Sequence, residues 1–344
     1  MKLSELGEFG LIDLIHGIID KFKNPQQASW KRLSIGIGDD AAAWQVDNHV
    51  QLATTDSLVQ DIHFDLNTVT WEELGWKALA INISDIAAMG GIPQYALISL
   101  AAPGDTEVDD ISRFCNSMAL LAEESGIAIA GGNLSAAPTL FITITVLGYS
   151  KSKSILRRST ATPGNRIAVT GHLGLSAAGL KMLKDKIILD SETTNILRHG
   201  HLKPVPKIIE GQTLVEQGVK TAIDISDGLI ADLNHICKAS KVGARIKIEQ
   251  IPVHPLVKAN FPGYLELALY GGEDYELLFT ANKAAIEKVK RTLNCSVTVI
   301  GDIVEETIPN RVTLLDISGN TIPCKKGGWE HFRDESVNIK ITQL

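Results

Sequence analysis

Apolar and polar positions along this chain follow two periods, and the switches between them outline helices and strands. Leu11, Ile12, Leu14, Ile15, Ile18, Ile19 and Phe22 recur at helical spacing. They predict an amphipathic packing helix that Asn24-Pro25 ends. Residues 33–38 read as a strand, and Val50 with Leu52 opens a second, short one. The pattern then predicts a helix over 70–89, a strand over 94–102, a helix over 108–125 and a β-rich strand over 139–147. The second half repeats this grammar, with strands at 166–170, 221–226 and 275–280 and a helix at 229–239. Strands and helices mixed in this way predict an α/β chain built of α+β layers.

Acidic residues interrupt the apolar pattern at recurring stations. They are Gly38-Asp39-Asp40, Thr54-Thr55-Asp56, Ile83-Ser84-Asp85 and Asp224-Ile225-Ser226-Asp227-Gly228. Carboxylates that follow strand-like runs are expected in the crevice at the strand ends of an α/β layer. Paired aspartates also serve as turn residues, and Asp227 alone reads as a helix N-cap. Asp85 resists that explanation, because the helical pattern precedes it and Gly90-Gly91 follows closely. A carboxylate among apolar helix residues is costly unless paired or metal-bound. Several carboxylates meeting in one crevice repel, and divalent cations with oxygen ligands remove the repulsion. The chain therefore reads as built around a magnesium cluster. Ile-Ser-Asp occurs in both halves, which hints at duplication. The glycine-rich run 171–179 leads into a helix and suits either a phosphate or close packing on small residues.

Composition narrows the function classes. The 344 residues are 44% hydrophobic and 21% charged, and they suffice for two ordinary domains. A net charge of −7 argues against a general nucleic-acid surface, so a phosphorylated ligand needs local cations. Cys115, Cys237, Cys295 and Cys324 form no C-x-x-C pair, which fits a reducing cytoplasm rather than zinc or a disulfide framework. No apolar run approaches the ~20 residues that span a bilayer, so no membrane partner is expected. The basic run 151–158 reads as a solvated hinge, placing domains at 1–150 and 151–344. On spacing alone Arg158 belongs to that hinge.

Nine motifs in order carry a family resemblance: GEFGLI, IGDDAA, TTDSLVQDIHF, NISDIAAMGG, a Gly-Gly-Asn station, RRSTATPG, AIDISDGL, GGEDYEL and GGWEHF. Across residues 7–332 the chain resembles the thiamine-monophosphate kinases. The resemblance implies a two-domain fold like that of aminoimidazole ribonucleotide synthetase, with N-terminal domains pairing in a homodimer. It implies transfer of the γ-phosphoryl group of ATP to thiamine monophosphate, the final step to thiamine diphosphate. Matched by motif, it assigns magnesium to Asp39, Thr54, Thr55, Asp56, Asp85, Asp224 and Asp227, with Asp40 a weaker neighbour. It assigns ATP to Gly132, Asn133, Arg158 and Ser226, and the substrate to His63, Glu273 and Trp329. For Arg158 this replaces the hinge reading.

Two positions depart from the pattern. Asn133 stands where the family commonly has a metal-binding Asp, and it offers a carbonyl oxygen without charge. Asn165 replaces an Asp after Pro-Gly and reads as a turn change. A phosphate dianion needs no general base, which agrees with the lack of a Ser/His-type nucleophile pair. His63 is then a substrate contact, and Trp329 an aromatic wall for a cationic ring. Other activities of this superfold fit less well. Selenophosphate synthesis expects an N-terminal cysteine and hydrogenase maturation a C-terminal one. Aminoimidazole ribonucleotide synthesis lacks the motifs. A non-catalytic nucleotide- or thiamine-phosphate-binding protein is the alternative from a different class.

Overall fold

The computed structural model describes residues 3–151, 154–305, 311–324 and 332. The first half runs α1 (Leu3–Lys21), α2 (Ala28–Arg32), β1 (Leu33–Ile35), β2 (Ala42–Val46), β3 (His49–Val59), α3 (Trp71–Ala88), β4 (Ile92–Ala102), α4 (Val108–Glu124), β5 (Ala128–Ala136) and β6 (Phe141–Ser150). The second runs β7 (Arg166–Thr170), α5 (Leu175–Lys184), α6 (Ser191–Leu202), α7 (Ile208–Glu216), β8 (Thr221–Asp224), α8 (Leu229–Ser240), β9 (Gly243–Lys247), α9 (Pro255–Asn260), α10 (Tyr264–Tyr270), β10 (Leu277–Ala281), α11 (Lys283–Thr292), β11 (Val297–Val304), β12 (Val312–Leu315) and β13 (Thr321–Ile322).

Alternation along β3 and β6 decides which face of the first sheet is covered. Val50, Leu52 and Leu58 on β3, with Ile142, Ile144 and Val146 on β6, are buried on the α3 side. Hydroxyls occupy the other face, where Ser57 bonds Thr143 at 2.7 Å and Thr145 bonds Thr55 at 3.0 Å. Helix α3 lies close on the sheet because β6 carries Gly148, where a Cβ would sit 2.8 Å from Ile86. Its start is fixed by a capping box between Thr70 and Glu73. The strand order is β1-β2-β3-β6-β4-β5, with only β4 and β5 parallel.

The second sheet has the order β13-β12-β9-β11-β7-β10-β8, and only β9 with β12 is parallel. One face packs on α5, α8 and α10, and the other on α7 and α11. The two halves meet along α3. Ala88 at its end joins the core of the second sheet, and Trp76 donates to the Pro204 carbonyl at 2.8 Å.

Four expectations change here. The sheets are largely antiparallel, so the acids do not gather at the ends of parallel strands. Asp56 sits inside the eleven-residue β3, which is longer than the short apolar run predicted, because cross-strand pairing with β6 carries it past Thr54. The predicted packing helix begins earlier, as α1, bends at Gly7 (φ 72°), and leaves Leu14, Ile15, Ile18, Ile19 and Phe22 exposed. The repeated Ile-Ser-Asp is helix interior at Asp85 and the exit of a strand at Asp227, so the two copies are not structurally equivalent.

Candidate active site

Five separate elements deliver carboxylates to one place. Asp39 and Asp40 lie in the loop from β1 to β2, Asp56 in β3, Asp85 in α3, Asp224 at the last position of β8 and Asp227 in the turn before α8. Ligand oxygens of Asp40, Asp85 and Asp224 lie within 4.8 Å of one another. Asp227, Asp232 and His235 form a second such group. Neighbours fix the orientation of these acids. Thr54 donates to Asp85 at 2.6 Å, Ser84 donates to Asp224 at 2.6 Å, and the Asn82 side-chain carbonyl accepts from the Asp56 amide at 2.9 Å.

Arg158 is the cation of the cluster. Its guanidinium donates to Asp40 at 2.6 Å, and its backbone amide lies 3.3 Å from both oxygens of Asp39. One arginine does not neutralise so many acids. Burial, then Asp40, pushes Asp39 up to about 7. Burial, again followed by Asp40, pushes Asp224 up to about 7. Burial and then Glu8 do the same to Asp227. Asp85 is driven well above the carboxylate range by burial, then by Asp56, Asp224 and Asp40. Asp40 Oδ2 is buried and has no hydrogen-bond partner among the described residues. Converging oxygens, excess negative charge and this orphaned atom fit a hard divalent cation.

The remaining sequence candidates fall into three sets. Glu273 and Ser226 join the site: the Glu273 amide donates to the Ser226 carbonyl at 2.8 Å. That approach needs Gly272, because a Cβ there would meet the Ser226 carbonyl at 2.3 Å. His63 accepts from the Val59 amide through Nδ1 at 2.9 Å and contributes to holding Glu273 ionised. Thr55, Gly132 and Asn133 lie elsewhere in the single chain. The Thr55 hydroxyl faces Thr145, on the opposite side of the sheet from Thr54. Gly132 is reached from Asp56 by the row Ile144, Ile98, Gly132, three strands and roughly 14 Å away. It lines a cavity of about 300 Å³ with Leu97, Ile98, Ser99, Asn133, Thr143 and Thr145. Trp329 lies outside the described residues.

Two ambiguous motifs resolve. The glycine-rich start of α5 already holds a carboxylate, since Asp274 accepts from the amides of Gly174 (2.7 Å) and Ser176 (3.1 Å). Asp227 does not cap α8. Asp232 reaches back from inside the helix and accepts from the amides of Asp227 and Gly228 at 3.2 and 3.1 Å. Asn165 is a turn residue bonded to Thr162.

Sequence reasoning missed Asp232, Lys77 and His201. Asp232 and Lys77 carry the signal that exposed Asp85, a charge among the apolar positions of a helix: Asp232 lies among Leu229, Leu233 and Ile236, and Lys77 among Leu74, Ala78 and Ile81. His201 gave no comparable signal.

Family models match two parts of the chain: "AIR synthase related protein, N-terminal domain" over 38–150 and "AIR synthase related protein, C-terminal domain" over 162–312. The thiamine-monophosphate kinase of Bacillus subtilis (strain 168) is 35% identical over 328 residues, covering 93% of this chain and 99% of that protein. That of Buchnera aphidicola subsp. Schizaphis graminum is 39% identical over 324 residues, covering 92% and 98%. A solved structure described as AaThiL complexed with AMPPCP and TMP superposes with a TM-score of 0.83 at 34% identity, covering 96% of this chain and 99% of that one. An Escherichia coli hydrogenase maturation protein, HypE, at 23% identity and a TM-score of 0.67 over 91% of this chain and 96% of that one, shares the fold.

Proposed function

The chain belongs to the thiamine-monophosphate kinases of the AIR synthase related family, and from that premise we propose a mechanism in which its aspartates hold magnesium between two phosphoryl groups. It is a thiamine-phosphate kinase that uses ATP. In the proposed step a phosphate oxygen of thiamine monophosphate attacks the γ-phosphorus of ATP in line. A new P–O bond forms, the bond to the β-phosphate oxygen breaks, and ADP leaves with that electron pair. Both phosphates are ionised, so charge balances without a proton transfer and no general base is required.

Bound divalent cations supply charge neutralisation between the two polyanions. Asp40, Asp85 and Asp224 would hold one, with Asp39, Asp56 and Asp227 at its margin. Thr54 and Ser84 keep two of these carboxylates from rotating away. Arg158 sits where a phosphate oxygen can exchange for part of its contact with Asp40. Glu273 and His63 line the neighbouring side, where the thiamine part of the substrate is proposed to bind. Magnesium, the residue roles and a cytoplasmic location are parts of this reading.

A homodimer belongs to the same proposal. All nine residues of β5 are exposed, with Tyr95, Leu97, Ile129, Leu134 and Phe141 on and around that edge. Such an apolar sheet edge is suited to covering by a second copy.

One observation carries the reading: three carboxylates from three distant elements share a space 4.8 Å across with a buried, unbonded Asp40 oxygen at its side. Purified protein incubated with ATP, magnesium and thiamine monophosphate is expected to yield thiamine diphosphate and ADP one for one. Normal binding of both ligands without turnover would replace the kinase by a binding protein.

A further inference from the structure

Helix α3 carries a lysine that the chemistry above does not use. Lys77 is only 2% exposed, and its Nζ lies 2.7 Å from Glu273 Oε1. The other carboxylate oxygen of Glu273 lies 3.3 Å from His201 Nδ1 on α6, itself 3.0 Å from Ser176 Oγ. Both oxygens therefore face fixed partners, while 31% of the Glu273 side chain stays open. The backbone is equally constrained. Glu273 and Tyr275 adopt φ of 64° and 50°, and their amides donate to the carbonyls of Ser226 and Ile225. Non-glycine residues persist there only when their surroundings impose it, and such sites are often functional.

We propose that Lys77 is a positioning residue for substrate: it holds the Glu273 carboxylate in a single orientation, so that its open part accepts N–H donors from the heteroaromatic part of thiamine monophosphate. This rests on the reading of Glu273 as a substrate contact and deepens it. Burial alone would raise the Glu273 carboxyl, but the charge and hydrogen bond of Lys77 are the chief causes that outweigh it and leave it below the ordinary range. His201 cannot replace the lysine as a counter-ion, because burial and then Lys77 push it down to about 3, so it stays neutral. The lysine comes from the first half of the chain and the carboxylate from the second. The orientation of Glu273 therefore depends on how α3 seats against α6, a seam also closed by Glu73 and Arg198.

The test is a double-mutant cycle on Lys77→Met and Glu273→Gln, read in steady-state kinetics. Each single variant is expected to raise KM for thiamine monophosphate about 10- to 100-fold, the range for a hydrogen bond to a charged group. KM for ATP and kcat should stay within about twofold of wild type. The double variant should be no worse than Glu273→Gln, because Lys77 has nothing left to position. Additive losses, or a joint loss in kcat and KM for ATP, would overturn the proposal and leave Lys77 a structural residue. Glu273→Gln with unchanged KM for thiamine monophosphate would instead overturn the reading of Glu273. Should Lys77→Met fail to fold around an unpaired carboxylate, the uncharged double variant compared with Glu273→Gln decides alone: equality supports the proposal and a further rise in KM overturns it.

Discussion

Helix α3 serves two charged regions that obey opposite rules. At its first turns Glu73 faces Arg198, and Lys77 faces Glu273. Two turns on, Asp85 faces Asp40 and Asp224. In the first region every charge has a partner of opposite sign inside the chain. Glu73 shows the consequence: burial would raise it, yet Arg198 and the Thr70 amide hold it below the ordinary range. In the second region like charges are stacked and, among the described residues, only Arg158 opposes them. Burial is common to both, so burial does not distinguish a charge settled within the chain from one that calls for an external cation. Internal compensation does. A pair compensated within the chain gains nothing from an external cation, whereas uncompensated carboxylates store a repulsion that such a cation relieves.

The largest expected effect reverses sign between the two regions. Asp224→Asn should lower the rate of thiamine diphosphate formation by about 1000-fold or more, as expected when a group that organises charge at the reaction centre is lost. In metal-free buffer at pH 8 the same change should raise the thermal midpoint by a few degrees, because it removes one of three repelling charges. Glu73→Gln should do the opposite. It leaves Arg198 without its bidentate partner and should cost about 3 kcal/mol, with the chemical step untouched. Calorimetry beside an initial-rate assay checks both. If Asp224→Asn destabilised the metal-free protein, the acid cluster would be a satisfied network and the contrast would fail.

A smaller effect follows from pH. Asp39, Asp224 and Asp227 are pushed up to about 7 by burial, whereas an unfolded aspartate titrates near 3.8. Between these values the folded chain binds more protons than the unfolded one, so stability falls as pH rises from about 4 to about 7. That loss should appear in metal-free protein as a midpoint several degrees lower at pH 8 than at pH 5. Added magnesium should restore more at pH 8 than at pH 5, because protonated carboxylates are poor ligands. A midpoint that rises with pH over this window in metal-free buffer would mean that the acids are compensated within the chain.

The same contrast explains what the sequence made legible. Asp85 stood out because an acid inside an apolar helix stripe has no local use, and α3 does bury the residues around it. Asp40 looked like half of a turn pair, yet it sits at the centre of the cluster. Its importance comes from Arg158 and Asp224, which lie 118 and 184 positions away in the chain. Spacing made Arg158 a hinge residue, because only tertiary structure brings it back onto Asp39 and Asp40 of the β1–β2 loop. The paired region was nearly invisible. Lys77 and His201 meet Glu273 through packing of α3 on α6, and no local period encodes that meeting. Thr55 shows the reverse limit. Strand alternation was enough to place it opposite Thr54, once β3 was known to continue through it.

The smallest effect probes the position that lies off both regions. Asn133 sits on β5, roughly 14 Å across the sheet from Asp56, on an edge that is exposed along its whole length. An amide there adds no charge, so it belongs to neither the paired nor the uncompensated class. If it contributes to a magnesium site in the working enzyme, Asn133→Asp supplies the missing charge and should lower the magnesium concentration for half-maximal rate by about 3- to 10-fold, a gain of roughly 1 kcal/mol. Maximal rate should change little, since the central carboxylates are intact. The measurement is rate against free magnesium at saturating ATP and thiamine monophosphate, for both forms side by side. Identical curves would remove position 133 from the metal sites and confine the uncompensated region to the acids around Asp40, Asp85 and Asp224. A shift seen only above the concentration at which the chain self-associates would place the contribution in a second copy, because among the described residues of one chain no strand brings Asn133 next to Asp56.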